Sequence, residues 1–374
     1  MESLGLNNDV LVGDRKFHVQ TNYSESEKII ISNVFNEGQV IESREIYSGD
    51  GTSEQEIENK MNELHQELIT EMEVLYYIYE KVKTVRHANS SNKLGLLFLR
   101  KNLLDEAVEQ FNLALEIDPN FSEVYANLGK ALIIYESLDE AVNVLCKGAD
   151  QAPNFADMQN YLGIAYLYKE KFSEAVVHLQ KAIELNRNYI GAHYHLGMAI
   201  LAQAAGSETE DGVVDAATEQ TALEHLTIAA EKMIDRHIPN FQKVMNLVNQ
   251  KSFKEAIDEF LLIRPRDILT HVSNIENEFY LKFMYGGKGK DDSYITEYVE
   301  KLREIIEQNP NYADARNNLG VAYLIQCRNL FLKALEEFRK ALKINQNYKK
   351  ADKNLKLAEN DGKGFLILLR AILK

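Results

Sequence analysis

Two hydrophobic rhythms divide the chain. Residues 9 to 48 alternate apolar and polar positions, as in "DVLVGDRKFHVQTNY" and "KIIISNVFNEGQVIESREIY", with "GD" and "EG" as punctuation. Such β-branched, aromatic-rich runs predict three or four antiparallel strands joined by two hairpin turns. A sheet this small needs a packing partner. The segment after "SGDGTS" supplies one, because Ile57, Met61, Leu64, Leu68, Leu75, Ile78, Val82 and Val85 keep a three-to-four spacing with only Glu71 out of pattern. That heptad-like stripe predicts one long helix, packed either on the sheet and the helices that follow or along a dimer seam.

From residue 88 the rhythm is helical throughout. The stretch "EVYANLGKALIIYESLDEAVNVLCKGADQAPN", residues 123 to 154, reads as two amphipathic helices meeting at a short turn, neither able to build a core alone. It is one link of a series. Gly95, Gly129, Gly163 and Gly197 recur every 34 residues, and Ala107, Ala141 and Ala175 follow the first three by twelve. Next come Phe111, Leu145 and Leu179, then Ala114, Gly148 and Ala182, with Pro119 and Pro153 closing two units. A second island repeats the grammar: "NNLGVAYL" with Gly320 and Tyr323, then "KALEEFRKAL" with Ala334, Phe338 and Ala341. Small residues let antiparallel helices approach, large ones fill the space toward the next helix, and proline ends the second helix.

This pattern resembles the tetratricopeptide repeat family, carried by "LG" at 94–95, 128–129, 162–163, 196–197 and 319–320 with the alanines and prolines above. The resemblance is clear over residues 88 to 204 and 311 to 345. It implies an all-α fold, a right-handed superhelix of about seven or eight helical hairpins, preceded by the small antiparallel β module and the long helix. The expected layout is a β module over 1–52, the long helix over 53–87 and a solenoid over 88–285. A flexible linker over 286–293 then leads to a C-terminal helical pair, repeat and capping helix over 294–374. Thirteen extra residues enter the fourth hairpin, and the acidic, glycine-containing 205–220 insertion reads as a solvated loop or helix extension. The apolar end "GFLILLRAILK" is expected to fold over the last repeat, around Leu342 and Leu355.

Repeat solenoids act through the concave face lined by the first helix of each pair. With the glycine on the packed side, helical geometry assigns that face. It comprises Asn92, Leu96 and Leu99 in the first unit, Lys130, Ile133 and Ile134 in the second, Asn160, Ile164, Leu167 and Tyr168 in the third, and Tyr194, Met198 and Leu201 in the fourth. One side is polar and rich in asparagine, the other apolar. A peptide or helix of a protein partner fits such a face, unless the chain's own N-terminal module or C-terminal helix lies there. A subset of the family clamps the terminal carboxylate of chaperones with lysine, asparagine and arginine; here only Asn127 agrees, and Asp157 would repel a carboxylate.

Charge narrows the partners. Asp and Glu number 57 against 42 Lys and Arg, a formal charge of −15, which disfavours nucleic acid and anionic lipid. No stretch reaches the roughly 20 apolar residues of a membrane span, and the opening "MESLGLNNDV" lacks the basic and apolar regions of a signal peptide. Cys146 and Cys327 match no ligand or redox spacing, so a reducing cytoplasm is expected. His193, His195, His225 and His237 carry no metal-binding spacing, and "GGKGKDD" lacks the serine or threonine of a phosphate loop. No cofactor, metal or catalytic constellation is expected. The sequence therefore reads as a non-catalytic interaction scaffold. The alternative is a homo-oligomer assembled through the long helix and the apolar C-terminus, and an enzyme is a distant third. Limited proteolysis should cut first within 205–220 and leave the flanking repeats associated; cleavage inside a repeat instead would mean that the insertion is packed.

Overall fold

Alternation in the first 47 residues becomes a four-stranded antiparallel meander of β1 (Gly5–Val12), β2 (Arg15–Ser24), β3 (Ile29–Asn36) and β4 (Gln39–Tyr47). The structure, a computed structural model, describes residues 5–206, 215–232, 240–265, 269, 275–287 and 291–372, excepting the side chains of 206, 361–363 and 365–372. Phe17, Val19 and Thr21 of β2, with Ile30, Ser32 and Val34 of β3, are fully buried on one sheet face, as the period of two requires.

That face is covered by α1 (Glu54–Val85), opened by a capping box in which Ser53 and Glu56 bond reciprocally. Ile57, Met61, Leu64, Leu68, Leu75, Ile78 and Val82 are buried, whereas Val85 is exposed. Met72, 1% exposed, carries the stripe where Glu71 breaks the expected spacing. Glu71 lies on the flank, where it takes a 2.5 Å hydrogen bond from Arg44 of β4. Burial within the chain leaves no free stripe on α1 for a dimer seam. A buried polar chain crosses the sheet–helix contact: Thr21 Oγ1 lies 2.6 Å from Ser32 Oγ and 2.8 Å from His65 Nδ1, and His65 Nε2 lies 2.9 Å from Asn8 Oδ1.

Five helical hairpins follow among the described residues. They are α2 (Ala88–Arg100) with α3 (Leu104–Ile117), α4 (Ser122–Ile134) with α5 (Leu138–Gln151), and α6 (Ala156–Tyr168) with α7 (Phe172–Leu185). Then come α8 (Ile190–Gly206) with α9 (Ala216–Lys232), and α10 (Phe241–Asn249) with α11 (Phe253–Leu261). The sheet and α1 lock onto the first hairpin. Tyr76 packs between Phe17 and Phe98 and donates to Glu106 at 2.7 Å, while Arg15 reaches Glu106 at 2.9 Å and Asp105 at 3.1 Å. Lys101 also pairs with Glu42 of β4.

The glycines work as the spacing predicts. A Cβ on Gly95 would lie 2.6 Å from the Phe111 ring, and Gly129, Gly163 and Gly197 are equally tight against Leu145, Leu179 and Leu226. The fourth pair keeps this contact across the long insertion, because α8 and α9 are each 17 residues against 13 and 14 in the hairpin before. Residues 207–214 of the insertion lie outside the described residues. In the four pairs whose turn lies within the described residues, the turn has one residue at positive φ, namely Asn102, Glu136, Glu170 and Lys251. Its own N–H and that of the next residue close the first helix, as Glu136 N to Ile133 O (3.0 Å) and Ser137 N to Leu132 O (2.9 Å) illustrate.

Contacts divide the chain into a compact unit ending at Asn277 and a second from Glu278 onward. The boundary falls within α12 (Ile275–Met284), not in the expected linker. The second unit continues with α13 (Asp292–Gln308), α14 (Ala313–Ile344) and α15 (Lys349–Ile372). Asp291, at the end of the glycine-lysine segment, caps α13 by accepting from Ser293 and Tyr294 N–H. Phe279 stacks on Tyr298 with centroids 3.7 Å apart. The second island is not a hairpin. Residues 313–344 form one continuous 32-residue helix, and Gly320 has no neighbour within 4 Å of a built Cβ. Fourteen residues separate Gly320 from Ala334 instead of twelve, and "IQCRNLFLK" between them has no residue at positive φ. The count of seven or eight hairpins is thereby reduced. The expected cap by 364–374 depends on side chains outside the described residues. No helix among the described residues is long and apolar enough to cross a membrane.

Left-handed backbone at a β-carbon residue costs about 1–2 kcal/mol. Glu136→Gly and Glu170→Gly should each raise the urea-unfolding free energy by about 0.5–1 kcal/mol, net of glycine's entropy in the unfolded chain. Loss of stability would mean that these side chains make contacts that outweigh the strain.

Candidate partner-binding groove

The first helices of successive hairpins bring the thirteen predicted residues onto one face, but not as an open surface. Asn92, Leu99, Lys130, Ile133, Ile134, Asn160, Ile164, Leu167, Tyr194, Met198 and Leu201 are buried, and only Leu96 and Tyr168 are half-buried. Over the third and fourth hairpins the cover is the fifth hairpin. Its second helix, α11, lies against α8. Phe260 packs against Tyr168, Tyr194 and His195 at centroid distances of 6.1, 5.5 and 6.2 Å, and Phe241 lies 5.2 Å from Tyr194. The Tyr168 hydroxyl donates to the main-chain carbonyl of Ile263 at 2.9 Å. At the first hairpin Lys93 Nζ donates to Asn277 Oδ1, also at 2.9 Å. The occupant over Tyr168 and Tyr194 is thus residues 241–263, neither of the two segments suggested by the sequence.

The sequence marks "FKEAIDEF" as amphipathic, but its apolar face carries no label for its destination. Phe241, Phe260 and Ile263 were therefore not among the expected groove residues. They share a core with Tyr194, Met198 and Leu201.

The polar side is cross-linked between repeats. Asn127 donates to Asn92 Oδ1 at 2.9 Å, and Asn92 donates to Glu123 at 3.2 Å. Asn160 donates to the Tyr189 hydroxyl at 3.2 Å, while its own Oδ1 is buried without a hydrogen-bond partner. Burial pushes the Lys130 ammonium down to about 8, against the pull of Asp157. Tyr189 and Tyr161 are raised, first by burial and then by neighbouring tyrosine and carboxylate groups. These shifts come from desolvation, and no nucleophile–base pair accompanies them.

The histidines separate. His193 and His225 meet at 2.9 Å between their Nδ1 atoms, and His193 Nε2 lies 3.1 Å from the Arg187 carbonyl. One consistent arrangement has His193 donating to that carbonyl and accepting from His225. His195 donates instead from Nδ1 to the Gly191 carbonyl at 2.6 Å, and its Nε2 is buried without a partner. His237 lies outside the described residues. Among the described residues no group of three or more His, Cys, Asp or Glu is arranged to hold a metal ion.

Burial lowers His195 from 6.5 to about 4. The unfolded chain then binds the extra proton between these values, so stability is fully present above about pH 6.5 and lost as pH falls toward 4. The full effect is on the order of 3 kcal/mol. His65, His178 and His225, also lowered chiefly by burial, act in the same direction. Urea midpoints should fall from pH 7 to pH 4.5, and fall less in His195→Leu; an identical decline in both proteins would remove His195 as a contributor.

The TPR repeat family profile matches residues 92–133 and 165–203. No curated protein matches the chain in sequence. Among solved structures it is similar to MamA (20% identity, 44% of this chain and 92% of that one, TM-score 0.36). It is also similar to YrrB, a TPR protein with an unusual peptide-binding site (20%, 51% and 91%, 0.35), and to PilF of Pseudomonas aeruginosa (16%, 61% and 95%, 0.35). The profile match lies on the glycine-packed hairpins, so residues 92–133 and 165–203 carry tetratricopeptide repeats.

Proposed function

We propose that this chain is a non-catalytic interaction scaffold whose concave face takes an apolar helix or peptide of a protein partner. The observation that carries this reading is how the face holds α11. Two tyrosines, Tyr168 and Tyr194, flank Phe260, and Tyr168 also grips a main-chain carbonyl. Aromatic anchoring plus backbone recognition is how grooves hold helices and extended peptides. Asn160 Oδ1, buried and unpartnered, offers a further acceptor for a ligand N–H. The ligand class is therefore a segment with one aromatic anchor and a free carbonyl just beyond it, competing with residues 253–263 for the same place. The free cysteines, Cys146 and Cys327, fit a reducing cytoplasm as the site of action.

Because Ile133 is fully buried, glutamate there would damage the core, so it cannot test the groove. The better probe is a labelled peptide of residues 251–265 added in trans to full-length protein. Phe260→Ala should bind it at least tenfold more tightly than the wild type, because the tethered copy is weakened. Phe260→Ala combined with Tyr168→Glu should lose that gain while keeping its helical circular dichroism. Equal binding by all three proteins would sink the groove as a docking surface.

A further inference from the structure

We infer that α14 is the seam of a symmetric dimer, in which two copies lay their α14 helices antiparallel and each restores the two-helix contact that one chain leaves open. Residues 313–344 contain both halves of a repeat: Gly320 in "NNLGVAYL", then Ala334, Phe338 and Ala341 in "KALEEFRKAL". In the first four hairpins the corresponding glycine abuts a large side chain of the second helix. Here both halves belong to one continuous helix, about 48 Å long, so they cannot meet within a chain.

The surface of α14 is consistent with that missing contact. Its buried positions, Ala315, Ala322, Ile325, Asn329 and Leu335, leave a different stripe uncovered. Gly320, Tyr323, Cys327, Leu330 and Ala334 are exposed at three-to-four spacing, and Ile344 is exposed ten residues further on, with Tyr323 at 42%, Leu330 at 66% and Ile344 at 88%. α13 and α15 hold other positions, as Asn329 with Asp292 and Arg339 with Glu359 show, and α13 also touches the stripe at Tyr323, whose hydroxyl accepts from Arg303 at 3.1 Å.

The stripe reads the same in both directions about a point between Arg328 and Asn329. An antiparallel partner would set Tyr323 against Ala334, Leu330 against Cys327, and Ile344 against Ala313. Gly320 would face Glu337, beside Phe338. Large meets small at each apolar step, and each contact occurs twice, as an isologous two-fold interface requires. A parallel pair would stack Tyr323 on Tyr323 and Ala334 on Ala334, which wastes the size match.

Light scattering of the full chain at micromolar concentration tests the seam directly, with a dimer mass expected. Helices 8–10 Å apart and offset by three residues bring the two Cys327 Cα atoms to about 10 Å. In Cys146→Ala, where Cys327 is the sole cysteine, a short bismaleimide should therefore link two chains. Leu330→Glu sets like charges beside the two-fold axis and should raise the dimer Kd at least a hundredfold; Tyr323→Glu is a second, independent variant. Both residues are exposed in the single chain, so circular dichroism and melting temperature should be retained. Leu357→Glu, on α15, should leave the dimer intact. A monomeric wild type, or a dimer that survives both α14 variants, overturns the inference.

Discussion

The close approach of a glycine to a branched or aromatic side chain holds each of the first four hairpins shut. Because Gly95 lacks a Cβ, α2 can come near enough for Phe111 to lie on its backbone, and the same holds at Gly129, Gly163 and Gly197. The register so fixed is repeated in every unit, which aligns the opposite faces of α2, α4, α6 and α8 into one groove. Tyr168 and Tyr194 can close on one ring because their helices are held at the same rotation. The N-terminal block depends on the same frame, since Tyr76 and Arg15 converge on Glu106 of the first hairpin.

What was legible in the sequence followed from periodicity, and what was not depended on single residues. A 34-residue period exposed the repeats, and the alternation of β2 and β3 exposed the sheet. The stripe on α1 was read rightly at seven of its eight positions, Val85 being exposed; at the one break, Glu71, the adjacent Met72 fills the buried place while Glu71 pairs with Arg44 on the flank. The hairpin turns had no readable signal. In the described turns the left-handed residue is Asn102, Glu136, Glu170 or Lys251, with no common side chain and no glycine. At Gly320 the repeat grammar is present but the turn is not. Two extra residues and a run of good helix formers let the helix continue, and local propensity prevails where no tertiary contact rewards a break.

The groove was legible as a face and illegible as an occupied site. Periodicity identifies which side of a helix is apolar, but it does not say what covers that side. Hence Ile133, Ile164 and Leu201 were correctly placed on one surface and yet are fully covered. Residues 241–263 lack the glycine signature, which freed their hairpin from the stacking rule and let α11 lie on α8. Lys130 in the second hairpin is buried as well, and that burial depresses its ammonium to about 8 against the pull of Asp157.

Self-occupancy constrains any ligand of this face. A tethered segment competes at an effective concentration in the millimolar range, so a partner offering only the contacts of Phe260 and Ile263 would be outcompeted by the chain itself. An effective partner must therefore reach beyond the footprint of α11. On the proposed reading the neighbouring polar row would provide that reach, because Asn160 has a buried acceptor to satisfy. A ligand N–H on Asn160 would, on that reading, add a directional contact beyond the aromatic anchor, and an unmade buried hydrogen bond penalises ligands that lack it. Selectivity would then, on the same proposed reading, reside in the asparagine-rich side and affinity in the aromatic side, a division set by which part of the groove the chain already fills.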